Sequence, residues 1–184
     1  MTKVDLKLFN NAWFNHGAGL IIRGLWYLFN AIYLNSYIFP FSGLKKFWLT
    51  IFGAKIGKGV VIKPKVNVKY PWKLTIGDYA WIGEEVWIDN LDEIKIGPNC
   101  CVSQGAMLLT GNHDFTKTSF DLITKPIVLE EGSWVGARST VCPGVKLGSH
   151  SILTVGSIAT KNLDPYGIYQ GNPAEKIKTR VISP

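Results

Sequence analysis

The sequence predicts a mainly β protein of one domain, built as a three-sided parallel coil with an N-terminal helical extension and a short C-terminal tail. Three regularities predict this fold. From residue 56 onward an aliphatic residue recurs every six positions, glycine often follows it, and a small or β-branched residue stands four positions after it. The chain has 184 residues, of which 47% are hydrophobic and 18% charged, so a sizeable core is expected and a disordered chain is excluded.

Residues 1–55 are interpreted as the apolar helical extension. Helical spacing of aliphatic and aromatic residues predicts one helix over about 19–35 and, after Pro40, a short helix over about 43–52. Three roles stay open for this extension: packing against the domain or a sister subunit, lying in a membrane interface, or spanning a bilayer. The third is least favoured, because buried amides such as Asn30 are costly in lipid.

Charge is concentrated behind the extension. The net charge is +7, and residues 45–73 hold eight lysines and no acid. Such a block attracts a membrane surface or an anionic ligand, or it forms a solvated face without a partner. No helix-turn-helix, zinc-finger or RNA-binding pattern accompanies it, so we expect no nucleic-acid partner.

The repeat predicts the central domain over residues 56–163. Three short strands per coil make a triangular prism in which one aliphatic side chain per face points inward and small residues fill the corners. A β-sandwich does not explain the six-residue step. Residues 164–184 form the tail. The aliphatic positions are Ile56, Ile62, Val68, Ile76, Ile82, Ile88, Ile96, Val102, Leu108, Leu129, Val135, Val141, Leu147, Leu153 and Ala159.

The pattern stops over residues 109–128, which we predict to leave the prism as an extruded loop. Loops of this length in a compact domain are usually functional or disordered. This one contains His113, one of three histidines in the chain. Imidazole exchanges protons near neutral pH, so His113 is either a catalytic base or an ordinary surface residue.

The three cysteines, Cys100, Cys101 and Cys142, do not suit a disulfide framework, and two of them are adjacent. Reduced thiols in a cytoplasmic protein are the simpler interpretation. Neither their spacing nor that of the histidines is typical of a zinc site, so no metal is expected. Cys100 falls on a small inward position and is predicted to fill the core.

Four segments carry a family resemblance: IGKGVVIKPKV, IGDYAWIGEEVWIDN, GNHDF and the C-terminal stretch from SWVGARSTVCPGV to YQGNPAEKIK. Over about residues 40–180 the chain resembles the hexapeptide acyltransferase superfamily, and within it the colanic acid biosynthesis acetyltransferases, relatives of the galactoside and maltose O-acetyltransferases. The resemblance implies a left-handed parallel β-helix, a homotrimer with active sites between subunits, and acetyl-CoA as the acyl donor.

The resemblance also implies site residues. His113 matches the general base, which activates a sugar hydroxyl without a covalent acyl-enzyme. The acceptor would meet Asp89 and Asn90, which are equally well read as corner residues, and Asn112 and Asp114, which also suit turns. The coenzyme contacts match Trp134, Gly136, Ala137, Val155, Thr160 and Lys161, and Lys178 is a further candidate for the phosphoadenosine end by its charge.

One position departs from the family. Galactoside-type enzymes carry a serine where this chain has Ala137, so a backbone N–H must stabilise the oxyanion or the site is built differently.

The expected function is therefore an O-acetyltransferase that moves acetyl from acetyl-CoA to a sugar hydroxyl in exopolysaccharide biosynthesis. The acceptor is a sugar or a lipid-linked saccharide, and peripheral membrane contact through residues 20–73 would favour the second. Serine, a nucleotide sugar or a xenobiotic are alternative acceptors, and a non-enzymatic β-helix scaffold is the alternative class. A γ-type carbonic anhydrase is disfavoured, because Thr118 stands where its second zinc histidine would fall.

Overall fold

The computed structural model describes residues 3–184 and shows a three-sided parallel β-helix of five complete coils and a partial sixth. Face A contains β1 (Lys55–Ile56), β4 (Leu74–Ile76), β7 (Ile94–Ile96), β12 (Ile127–Leu129) and β15 (Lys146–Leu147). Face B contains β2 (Val61–Ile62), β5 (Trp81–Ile82), β8 (Cys101–Val102), β13 (Trp134–Val135), β16 (Ile152–Leu153), β18 (Gly167–Gly171) and β19 (Ala174–Thr179). Face C contains β3 (Asn67–Val68), β6 (Trp87–Asp89), β9 (Met107–Leu109), β14 (Thr140–Val141) and β17 (Ile158–Ala159).

The six-residue repeat forms the core. Every predicted inward aliphatic position except the first is at most 2% exposed, and Ile56 is partly buried against the same cluster. Strands of successive coils pair in parallel, so that equivalent positions stack directly, as Ile76 does on Ile96. At the corner after β4 the coils approach closely, because a Cβ on Gly77 would lie 2.6 Å from the backbone nitrogen of Pro98. Glycine is therefore required at this position, because any side chain would clash with the backbone of the next coil.

Two helices precede the prism, close to the predicted ranges. Helix α1 spans Leu20–Phe29 and continues as a π-helical turn at Asn30–Leu34, and α2 spans Ser42–Ile51. Helix α2 packs against β1 and β2 with Leu49 fully buried, so it closes the first coil. Among the residues that the structure describes, none of the helices combines the length and apolar character that a membrane crossing needs.

Helix α1 lies on face C of the first coil. The indole Nε1 of Trp26 donates a hydrogen bond to the carbonyl oxygen of Val68 at 2.8 Å, and the amide of Asn30 donates to Asn67 at 2.7 Å. The apolar stripe that predicted the helix faces outward: Ile21 is 78% exposed and Leu28 is 55% exposed. The helix thus presents its mixed polar and aromatic side to the prism and an apolar side to its surroundings.

The segment before α1 runs along the corner where face C turns into face A. Its backbone is anchored at two points: the N–H of Asp5 donates to the carbonyl of Thr118 at 2.9 Å, and the indole of Trp72 donates to the carbonyl of His16 at 2.7 Å. At the other end of the molecule, β19 folds back antiparallel on β18 and forms the outer strand of face B.

Candidate active site

The chain between β9 and β12 leaves the prism at the corner between faces C and A. It forms an antiparallel hairpin of β10 (Gly111–His113) and β11 (Leu122–Thr124), in which His113 pairs with Leu122. The two strands of the hairpin are hydrogen-bonded to each other, so His113 lies on regular secondary structure.

The ring of His113 is held by Phe120. Its Nδ1 lies 2.9 Å from the carbonyl oxygen of Phe120, and the two rings stack at 4.4 Å with 6° between their planes. A carbonyl only accepts, so Nδ1 carries the hydrogen and Nε2 of the neutral ring is left with a free lone pair. Phe120 has a backbone φ of 51°, which few residues other than glycine adopt. This backbone conformation belongs to the turn in which the Phe120 carbonyl meets His113.

A second aromatic residue reaches the imidazole from the N-terminal segment. The ring of Phe9 lies 5.7 Å from that of His113, and the backbone contact between Asp5 and Thr118 holds the two segments together. Residues far apart in sequence therefore form one wall around the imidazole.

The neighbours of His113 in sequence shape the loop. The amide oxygen of Asn112 accepts from the N–H of His113 at 2.8 Å. Asp114 accepts from both the N–H and the hydroxyl of Thr116, and these hydrogen bonds lower the pKa of its carboxyl group. Both side chains thus make the turn contacts that their residue types favour.

Asp89 and Asn90 lie at the same corner one coil earlier. The carboxylate of Asp89 is 2.9 Å from the ammonium of Lys69 and lines a cavity under α1. Asn90 is fully buried, and its amide group bonds both backbone atoms of Tyr70, at 2.9 Å and 2.6 Å. The Asn90 side chain therefore holds the corner of the prism together.

Four of the residues that match coenzyme contacts are brought together: a cavity of about 400 Å³ between face B and its corner with face C is lined by Trp134, Gly136, Ala137 and Val155. Coils approach closely here, since a Cβ on Gly136 would lie 2.6 Å from the nitrogen of Val155. Within residues 3–184, the N–H of Ala137 has no hydrogen-bond acceptor, so it is available to an oxyanion.

The other matched residues lie elsewhere. Thr160 and Lys161 follow β17 at the corner between faces C and A, on the same edge of the prism as the loop with His113, and both are exposed. Lys178 is exposed on β19, at the end of face B. The candidate residues therefore occupy two edges of a single chain.

Two of the three thiols are poorly suited to nucleophilic chemistry, and the described residues form no metal site. Cys100 is buried as predicted, and burial raises the pKa of the Cys100 and Cys142 thiols, which disfavours the nucleophilic thiolate. Residues 3–184 contain no cluster of three or more His, Cys, Asp or Glu side chains placed to hold a metal ion.

Sequence reasoning missed Phe9 and Phe120. Nothing in the repeat points to them, because both lie outside it. The only available signal for Phe120 is its place seven residues after His113 in the same loop, and that does not reveal which carbonyl meets the imidazole.

A three-sided parallel β-helix interrupted by an extruded hairpin is the architecture that the resemblance to the hexapeptide acyltransferases implies. No protein-family model matches the chain. It is 44% identical over 137 residues to the "Putative colanic acid biosynthesis acetyltransferase WcaF" of Escherichia coli K12, covering 74% of this chain and 75% of that protein.

Two solved structures share the fold. A hexapeptide-repeat acetyltransferase of Vibrio cholerae, complexed with acetyl coenzyme A, has a TM-score of 0.79 and 19% identity, covering 89% of this chain and 91% of that one. A maltose O-acetyltransferase of Clostridium difficile has a TM-score of 0.73 and 20% identity, covering 86% and 84%. The chain belongs to the hexapeptide-repeat acetyltransferases, and the predicted left-handed parallel β-helix is confirmed.

Proposed function

We propose that the protein transfers acetyl from acetyl-CoA to a hydroxyl group of a saccharide during exopolysaccharide biosynthesis. The relative at 44% identity has the name of a colanic acid biosynthesis acetyltransferase, and one structural neighbour was solved with acetyl coenzyme A. The observation that carries the proposal is the contact of His113 Nδ1 with the Phe120 carbonyl, because it leaves Nε2 as a proton acceptor.

The reaction needs one base and one oxyanion donor. Nε2 of His113 accepts the proton of the acceptor hydroxyl as the oxygen attacks the thioester carbonyl. The tetrahedral oxyanion then collapses, the C–S bond breaks, and the departing thiolate takes the proton back from the imidazolium. The products are the acetyl ester and CoA, and the imidazole returns to its starting state.

The backbone N–H of Ala137 is the proposed oxyanion donor. It is free of other acceptors within residues 3–184 and lies in the cavity that also contains Trp134, Gly136 and Val155. A preorganised N–H in a water-poor cleft stabilises developing negative charge without reorganisation. Gly136 allows the coils to approach at this point, and the indole of Trp134, fixed on Ser103 at 2.8 Å, forms one wall for the coenzyme.

The active enzyme is proposed to be a homotrimer. His113, Thr160 and Lys161 lie on the edge between faces C and A, whereas Ala137 and Val155 lie on the edge between faces B and C. The coenzyme is proposed to meet both groups by lying between two chains, because a closed three-fold ring brings one edge of each subunit to the other edge of its neighbour. Lys178 at the end of face B is placed in this proposal near the phosphoadenosine end.

Peripheral membrane contact through residues 20–73, at the cytoplasmic face, is part of the proposal. The outward side of α1 and α2 exposes Leu20, Ile21, Leu28, Phe47 and Ile51. Of the eight lysines of residues 45–73, all except the buried Lys45 are at least partly exposed. Apolar patches of this kind mark interaction sites, and basic neighbours favour anionic lipid.

Vesicle co-sedimentation tests the membrane contact. We expect the protein to pellet with anionic vesicles more than with neutral ones, and Ile21→Ser with Leu28→Ser to abolish the difference. Val181→Ser with Ile182→Ser, two exposed apolar residues of the tail, is the matched control. If the first pair pellets like the wild type, the membrane contact is wrong and the face serves packing between subunits.

The test of the catalytic proposal is thiol release from acetyl-CoA in the presence of saccharide acceptors, with mass spectrometry to locate the added acetyl group. We expect His113→Ala to abolish turnover while the affinity for CoA stays within about twofold, because the imidazole acts on the hydroxyl. An unchanged rate would show that His113 is not the base, and absence of transfer by the wild type to any saccharide would overturn the proposed function.

A further inference from the structure

A groove runs along face C beneath α1 and reaches the corner with face A at Asp89. Its larger part has a volume of about 410 Å³ and its smaller part about 290 Å³, and both parts are lined by Asn35, Asn67 and Trp87. We call the two parts together the face-C groove. The larger part is within the roughly 300–1,000 Å³ range of small-ligand sites.

The walls of the groove combine aromatic rings with hydrogen-bonding groups. Tyr27, Tyr70 and Trp87 line the larger part, and Trp87 stands outward on β6 with 41% of its surface exposed. The lining also includes the asparagines Asn30, Asn35 and Asn67. Aromatic faces accept the apolar face of a sugar ring, while amides, carboxylates and guanidinium groups bond its hydroxyls.

Charged side chains also line the larger part. The carboxylate of Asp89 forms an ion pair with the ammonium of Lys69 at 2.9 Å. The Nε of Arg23 is buried and has no acceptor within residues 3–184, so it is a donor that a sugar hydroxyl can satisfy when binding brings the two groups together.

The groove is within reach of the catalytic loop. Asp89 pairs with Leu109 on the neighbouring strand, and four residues further along the chain stands His113. Strand spacing and the length of an extended chain place Asp89 and His113 no more than about 20 Å apart. An oligosaccharide is long enough to reach from the groove to His113 even at this upper limit.

We infer that the face-C groove binds sugar residues of the acceptor that are remote from the acetylated hydroxyl. The acceptor is then an oligosaccharide, free or carried by a lipid. This inference rests on the proposed function for its reaction, but the binding that it requires is independent of turnover.

The experiment compares acceptors of increasing length. De-O-acetylated colanic acid is partly hydrolysed and separated into monosaccharide, disaccharide, tetrasaccharide and hexasaccharide fractions, and kcat/KM is measured for each. We expect kcat/KM of the wild type to rise with length. Trp87→Ala and Arg23→Met should each lower kcat/KM for the hexasaccharide about tenfold, and leave the monosaccharide within about twofold.

Tyr79→Ala is the matched control, because Tyr79 is also an exposed outward ring but lies at the corner between faces A and B. We expect Tyr79→Ala to leave kcat/KM unchanged for both the monosaccharide and the hexasaccharide. Thermal melting of every variant is the check that each one folds. If kcat/KM is independent of length, or if Trp87→Ala and Arg23→Met affect all acceptors equally, the inference is overturned while the proposed function stands.

Binding to the His113→Ala protein separates the two proposals. Saturation-transfer NMR with the hexasaccharide is expected to show contact, and adding Trp87→Ala or Arg23→Met should weaken it. This result supports the groove even if the wild type acetylates none of the fractions, an outcome that counts against the proposed function alone. A hexasaccharide that does not bind, or that binds all variants equally, overturns the inference.

Discussion

The carbonyl oxygen of Phe120 lies 2.9 Å from Nδ1 of His113, and the two rings stack at 4.4 Å. A backbone carbonyl thus fixes the imidazole where a carboxylate often does so in other enzymes. Because a carbonyl carries no charge, it sets the tautomer without adding the stabilisation of the imidazolium that a carboxylate would provide.

The tautomer of His113 is directly measurable. Long-range ¹H–¹⁵N NMR at a pH above the imidazole titration should show hydrogen on Nδ1 and a free Nε2. Phe120→Gly keeps the carbonyl and suits the positive φ, so we expect the same tautomer with a smaller loss of kcat than the 10²- to 10⁴-fold or so that follows removal of the base. A spectrum with hydrogen on Nε2 would contradict the assigned role.

Mixing two inactive variants tests whether the site is shared between chains. His113→Ala removes the base from one edge, and Val155→Glu places a negative charge on the exposed residue of the other edge, where it repels the coenzyme phosphates. In a trimer reassembled from equal amounts, about one quarter of the sites combine two intact edges, so about a quarter of wild-type activity should return. No recovery after verified subunit exchange would show that both edges act within one chain.

The oxyanion donor is tested at Ala137. Ala137→Ser adds a hydroxyl donor beside the free backbone N–H, and we expect kcat to rise by up to about tenfold, less than the roughly 100-fold cost of removing a sole donor. Ala137→Val supplies bulk without a donor and should lower kcat. Equal effects of serine and valine would place the oxyanion elsewhere.

The stability of the first coil depends on a buried lysine. Lys45 on α2 is fully buried, its ammonium has no hydrogen-bond partner within residues 3–184, and burial lowers its pKa. The folded chain therefore releases this proton at a lower pH than the unfolded chain, whose lysine titrates near 10.5. Stability attributable to Lys45 rises with pH between the two pKa values.

We expect Lys45→Met to raise the free energy of unfolding by about 1–3 kcal/mol at neutral pH. The gain should shrink as the pH rises towards 10.5 and should vanish above it, where the lysine of both states is neutral. Urea unfolding at matched protein concentration, at neutral and alkaline pH, measures both effects. A gain that does not change with pH would show that packing and not the buried charge is responsible.

The prism could be predicted because the same six-residue pattern, with an aliphatic residue at the inward position, recurs on every face. Ile82 and Val102 stack since their coils have the same length, and Gly77 is required where coils approach. The candidate site was predictable in part, because His113 interrupts the repeat and the coenzyme residues follow a family pattern.

What lay outside the repeat was not predictable. The carbonyl of Phe120 meets His113 through a backbone conformation that side-chain identity does not reveal, and Phe9 arrives from the far end of the sequence. The periodicity of α1 predicted a helix correctly, but periodicity alone does not say which side faces the prism. The side of α1 that faces the prism is set by the hydrogen bonds of Trp26 and Asn30 to β3, and these contacts form only in the tertiary structure.

The first coil of the prism is closed by α2 with Leu49, and at the last coil β19 folds back antiparallel on β18. An uncovered terminal strand has unpaired N–H and C=O groups that attract the strand of another molecule. Because the place next to β18 is taken by an antiparallel strand of the same chain, a further coil cannot be added to face B in the parallel register of the prism.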